Sequence, residues 1–171
     1  MEEIAALFDS RGQAIGRAPR SRVRAENLHH GATGIVVFNK DAQIFIHQRT
    51  WIKDVYPGRW DFTAGGVIQA GEIPDESAQR ELAEELGIDS ALHRLPDGEY
   101  SDEHTSYHAF RYWAVTAKQP ILQESEVLQG QWSSVEELLA RIREVPQEFM
   151  PDSIALFLPW LDGLRVVPPI S

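Results

Sequence analysis

The chain reads as an α/β fold, a mixed sheet sandwiched between helices, and two patterns carry that reading. Short segments rich in β-branched and aromatic residues recur along it, and segments with helical apolar spacing lie between them. Length sets the frame: 171 residues suit one domain with room for a buried core, so residues 1–171 are expected to form a single unit.

Taken in order, two short apolar runs between Ile4 and Ala18 flank Asp9-Ser10-Arg11-Gly12, which predicts a hairpin. Residues Ser21 to Leu28 read as a short helix capped by Ser21, so residues 1–30 form an N-terminal hairpin and helix. Strands are expected at Ala32–Asn39 and Gln43–Arg49, joined at Asn39-Lys40-Asp41. A loop carrying Trp51, Pro57, Gly58 and Trp60 then feeds a strand and turn from Asp61 to Ile68. Pro74 with Asp75 and Glu76 starts a helix that Gly87 stops. Further on, Thr105–Ala117 alternates as a long strand and Val127–Trp132 gives a shorter one. Ser133 or Ser134 caps a helix over residues 135–142, and a last helix spans 152–161, with Pro159 able to end it early.

Composition narrows the partners. Sixteen lysines and arginines against 26 acids leave a net charge of −10, which repels nucleic acid and anionic membranes. No cysteine provides a disulfide framework, no apolar run reaches membrane-spanning length, and the acidic start MEEIAALF is unlike a secretory signal. The expected setting is the cytoplasm, the expected partner a small molecule; the oligomeric state stays open, a monomer being compatible.

The stretch from Gly65 to Ile88, GGVIQAGEIPDESAQRELAEELGI, carries the chemistry. On a helix, Glu81, Glu84 and Glu85 fall within an arc of roughly 100°, while Ala78, Leu82 and Leu86 occupy a separate arc of about 80°. Carboxylates at this spacing repel one another, and a hard cation among them reverses the sign. Oxygen ligands without cysteine favour Mg²⁺ or Mn²⁺. Alone, such an acidic face is more often solvated surface. But Gly66, Glu72, Arg80, Glu81, Leu82, Glu84, Glu85, Gly87 and Ile88 fill G-x5-E-x7-R-E-U-x-E-E-x-G-U, where U is a bulky aliphatic residue. At background frequencies near ~7% per fixed residue, a chance match is on the order of one in a million.

That pattern is the Nudix box, and the chain resembles a Nudix hydrolase. The resemblance implies an α/β/α sandwich and metal-assisted cleavage of a phosphoanhydride in a nucleoside di- or triphosphate or a related derivative. It assigns Glu84 and Glu85 as metal ligands and Glu81 as a further ligand or general base. The backbone carbonyl of Gly65 adds a ligand, and Arg80 pairs structurally with Glu72. Outside the box, Glu126 is a candidate ligand, with Glu103, His104 and His108 as alternatives. Lys53 and Arg59 are candidates for reaching phosphates. Trp51, Tyr56, Trp60, Tyr107 and Tyr112 either stack on a base or fill the core.

Upstream, LHHGATGIVVFN, HQRT, Lys53, Pro57-Gly58 and Trp60 resemble isopentenyl-diphosphate isomerase, with His30 where that enzyme places a metal-binding histidine. Gly65 and Val67 stand where the isomerase needs cysteine and histidine, while the RELAEE segment is complete. The expected chain is therefore a hydrolase of the branch sharing the isomerase's upstream region. An isomerase-like enzyme and a non-catalytic nucleotide-binding module are the alternatives.

Overall fold

A computed structural model describes residues 1–53 and 55–164. Strands β1 (Ile4–Phe8) and β2 (Ala14–Pro19) form the expected hairpin, closed by Asp9, whose carboxylate accepts from the Arg11 and Gln13 N–H groups. Helix α1 (Arg20–Glu26) begins one residue earlier than expected and has no side-chain cap of its own. Ser21 is not the cap: its N–H donates to Glu2 at 2.7 Å, so a carboxylate from the chain start fills that role. Asn27, in the left-handed conformation, ends the helix and starts β3 (His29–Phe38) earlier than the apolar run alone suggests.

β3 is the axis of the sheet. It pairs in parallel along its whole length with β8 (Ser106–Val115), from His29–Ser106 to Phe38–Val115. On its other side the chain entering the glutamate helix lies against it, with Ile35 and Ala64 exchanging N–H···O bonds of 2.7 and 2.9 Å. The Thr33 N–H donates to the Gly66 carbonyl at 2.9 Å. The strand and turn expected over residues 61–68 are less regular than a ladder: only β5 (Trp60–Asp61) is a strand, and the rest is a ribbon of single bridges. β4 (Ile44–Arg49) joins β3 only at the turn, then diverges to pair with β9 (Val127–Ser133) and β5.

Two short strands have no counterpart in the sequence reading. β6 (His93–Arg94) and β7 (Gly98–Ser101) pair antiparallel with β8. The remaining helices are α2 (Pro74–Leu86), α3 (Val135–Glu144) and α4 (Pro151–Asp162). Ser134, not Ser133, caps α3, accepting from the Glu137 N–H. Pro159 does not end α4; it sits in the last turn, where it forgoes the bond an N–H would give to the carbonyl four residues back, and the helix stops three residues later.

The sheet is buried on both faces. On one, Ala78, Leu82 and Leu86 of α2 pack against Ile35, Val37, Phe110 and Tyr112; on the other, Leu138, Ile142, Phe157 and Leu161 of α3 and α4 pack against Val36, Phe38, Ile44 and Ile46. β8 alternates as expected, sending Phe110 and Tyr112 to one layer and Trp113 to the other. The architecture is the expected α/β sandwich on a mixed sheet. Among the described residues no helix is long and apolar enough to cross a membrane.

Three outcomes follow from burial. Leu82 is wholly buried, so Leu82→Ala should cost about 3 kcal/mol in urea unfolding. Leu128→Ala, at a half-exposed position on β9, should cost under about 0.5 kcal/mol. His30 is buried beside Tyr107, and burial holds its pKa down from 6.5 to about 4. The unfolded chain takes up this proton first, so the stability from neutral His30 is full above pH 6.5 and is lost as pH falls towards 4. Over that window the thermal midpoint of wild type should fall relative to His30→Gln; parallel curves would show that His30 does not carry the effect.

Candidate active site

The glutamate helix is aimed by its apolar stripe. With Ala78, Leu82 and Leu86 pressed onto the sheet, Glu81, Glu84 and Glu85 project towards the Gly65–Gly66 turn at the edge of β3, on the wall of a cavity of about 290 Å³. Position 65 of the turn must be glycine. Gly65 has φ +147°, and a Cβ there would run into the Thr33 carbonyl of β3; a Cβ on Gly66 would lie 2.6 Å from Glu81 Oε1. Backbone and carboxylates therefore meet with no side chain between them.

Arg80 organises the charge. Its Nε and Nη2 donate to the two oxygens of Glu72 at 2.7 and 3.0 Å, and its Nη1 donates to Glu81 Oε1 at 3.0 Å and Glu84 Oε2 at 3.2 Å. Glu72 also accepts the Gln69 N–H at 2.8 Å. Burial pushes the Glu72 carboxyl up, but these donors outweigh it and hold it below its ordinary value. Arg80 is driven above its ordinary value, first by Glu72. Glu81 differs: burial dominates, and despite Arg80 its pKa rises to about 7.

Glu85 is held from the sheet. Its Oε1 lies 3.1 Å from Nε2 of buried His47 on β4, and its Oε2 accepts from the Gly65 N–H at 3.4 Å. Burial lowers the His47 pKa, but Glu85, with Asp61 beyond it, outweighs burial and leaves it raised. His47 opens the HQRT segment but has no role in the sequence reading, because nothing in a strand histidine marks a partner 38 positions away on a helix.

Other residues sort by distance. Glu126 and Lys53 both reach the cavity wall, where they form an ion pair with each other. Arg59 does not: it donates to the Phe149 carbonyl at 3.1 Å and lies over the Tyr56 ring, off the cavity wall. Arg49, Arg20 and Arg24 line the cavity instead. His108 lies between Asp97 and Glu99, and Glu103 and His104 contact each other; none lines the cavity. Of the five aromatic candidates only Tyr56 and Tyr107 line it, and Tyr112 is core.

The far end is polar and buried. Asp61 accepts from Ser153 Oγ at 2.5 Å and from the Thr63 N–H at 3.1 Å, while Tyr107 donates to Asp152 at 2.6 Å. Burial, then the nearby Asp61, raises the Asp152 pKa.

Among the described residues no three carboxylate or imidazole groups converge into a ready-made cation cage. The donor set nonetheless fits a hard cation. Glu81 and Glu84 each meet Arg80 through one oxygen, and Glu81, largely buried, is left short of positive charge.

Comparison with known proteins agrees with this geometry. The NUDIX domain family matches residues 28–153. The chain is 39% identical over 170 residues to the uncharacterized Nudix hydrolase orf19 of Rhodococcus erythropolis, covering 91% of this chain and 90% of that protein. It is 37% identical over 160 residues to the uncharacterized Nudix hydrolase YfcD of Escherichia coli K12, covering 91% and 84%. The crystal structure of DR0079 from Deinococcus radiodurans superposes with a TM-score of 0.70 at 28% identity, covering 83% of this chain and 90% of that one. At 18% identity, the NUDIX domain of Shewanella oneidensis NrtR, solved with ADP-ribose, shares the fold, with a TM-score of 0.57 over 71% of this chain and 86% of that one. With its box intact and its glutamates gathered on one cavity wall, the chain belongs to the Nudix hydrolase family.

Proposed function

We propose that the protein hydrolyses a phosphoanhydride bond in a nucleoside di- or triphosphate or a related nucleoside diphosphate derivative, with Mg²⁺ or Mn²⁺ as cofactor. The observation that carries this is that Glu81, Glu84, Glu85 and the Gly65–Gly66 backbone line one cavity wall. Glu84 and Glu85, with the Gly65 carbonyl, would hold the cation, Glu81 being a further ligand or the base, and Glu126, which lines the same cavity, is a candidate ligand should its pair with Lys53 open. When bound, such a cation supplies an activated water and neutralises charge on the phosphoryl oxygens.

The chain's own residues do the rest. Arg80 and Glu72 keep Glu81 and Glu84 at their stations and limit their mutual repulsion. His47 and the Gly65 N–H fix the Glu85 carboxylate from the opposite side. Glu81, on the same helical face, would either join Glu84 and Glu85 on the cation or act as the base that accepts a proton from the attacking water. Lys53 faces the cavity and is the candidate contact to substrate phosphates. ADP-ribose in the NrtR domain is a nucleoside diphosphate derivative held by this fold, in keeping with that substrate class.

The upstream likeness to isopentenyl-diphosphate isomerase belongs to this proposal as ancestry, not activity. Isomerisation needs acid–base side chains flanking an apolar pocket, and position 65 can carry none without striking Thr33. A binding module without turnover is the second reading, and the complete RELAEE segment with its glutamates on one cavity wall favours the hydrolase over it.

Hydrolysis of a nucleotide panel, followed as phosphate release, should require Mg²⁺ or Mn²⁺ and stop with excess chelator. Full activity under chelation would sink the proposal. Glu85→Gln, which keeps shape and loses charge, should lower turnover at least about a hundredfold while leaving the circular dichroism spectrum unchanged. Unchanged turnover would place the chemistry elsewhere.

A further inference from the structure

α1 lies before the 28–153 stretch that matches the NUDIX domain, yet two of its side chains line the same cavity as the glutamates. Arg20 and Arg24 stand four residues apart on one helical face, about 6 Å between Cβ atoms. Their charges reach inward far enough to disfavour protonation of His30 on the cavity wall.

The element that carries them is anchored. Val23 is buried against Ala5 and Ala18, Glu2 accepts the Ser21 N–H, and the Arg20 N–H donates to the Glu3 carbonyl at 2.9 Å. At the other end, the Asn27 side chain donates to the Asp102 carbonyl at 2.9 Å. Two guanidinium groups on a fixed face, over a cavity in a chain of net charge −10, are concentrated against the overall field. Arg20 currently meets Glu3, its Nη1 donating to Oε2 at 2.9 Å, with both side chains nearly half exposed. An exposed pair of this kind is weak and readily exchanged for a better oxyanion.

We infer that Arg20 and Arg24 form an oxyanion subsite for a further phosphoryl group beyond the cleaved linkage, and that Glu3 holds its place until substrate arrives. This rests on the hydrolase reading. It makes α1 the selector for substrates with a charged phosphate tail over those ending in a neutral sugar, because planar guanidinium groups gain most from phosphate oxygens.

The test compares a nucleoside triphosphate with a nucleoside diphosphate sugar of neutral end, in wild type, Arg20→Gln, Arg24→Gln and Glu3→Gln. Each arginine variant should raise KM for the triphosphate about tenfold with little change in kcat, so that kcat/KM for triphosphate relative to sugar falls about tenfold. Glu3→Gln should move the same ratio the other way. An equal effect on both substrates, or no change in the ratio, would overturn the subsite. Wild type that cleaves only the neutral-ended substrate would overturn it while leaving the hydrolase standing; cleavage of neither would overturn both.

Discussion

One guanidinium makes this site possible. Arg80 bridges Glu72, Glu81 and Glu84, and without it the carboxylates that the box places on one face of α2 would face one another at close range. Because Glu72 precedes the helix, the same side chain ties the loop leaving the glycine turn to the first exposed turns of α2. Its charge does not cover everything, since burial still raises the Glu81 pKa to about 7. A group that keeps the carboxylates together yet leaves one short of a counter-charge suits a site built to receive a second cation.

Fold and site are here one construction. β3 accepts β8 along one edge and the 64–68 ribbon along the other, and that second edge brings Gly65 and Gly66 against Thr33. α2 can then dock its Leu82 stripe on the sheet while Glu81 fills the space a Gly66 side chain would need. From β4, in the same sheet, His47 reaches Glu85.

What could be read from the sequence was what local spacing encodes. The i, i+3, i+4 glutamates, the Pro74 start and the Gly87 stop are short-range signals, and α2 runs between them with Gly87 left-handed. So are the Asp9 turn and the alternation of β8. What escaped was tertiary or too short to have a period. β6 is two residues, and β7 is a polar run held by pairing to β8. Ser21 looked like a cap, but Glu2 was closer in space. Arg59 looked available to phosphate on its loop, whereas folding turns it to Phe149 and leaves Arg20, Arg24 and Arg49 on the cavity. Asp61 and Asp152, 91 positions apart, meet only because α4 begins where β5 ends in space.

Anomalous diffraction from crystals grown with Mn²⁺ tests the central claim most directly. The account predicts a strong peak in the cavity within coordination distance, about 2.0–2.3 Å, of carboxylate oxygens from Glu81, Glu84 and Glu85, with Arg80 still paired to Glu72. A peak elsewhere, such as between Asp61 and Asp152, with the glutamates still bound only to Arg80 and His47, would contradict it.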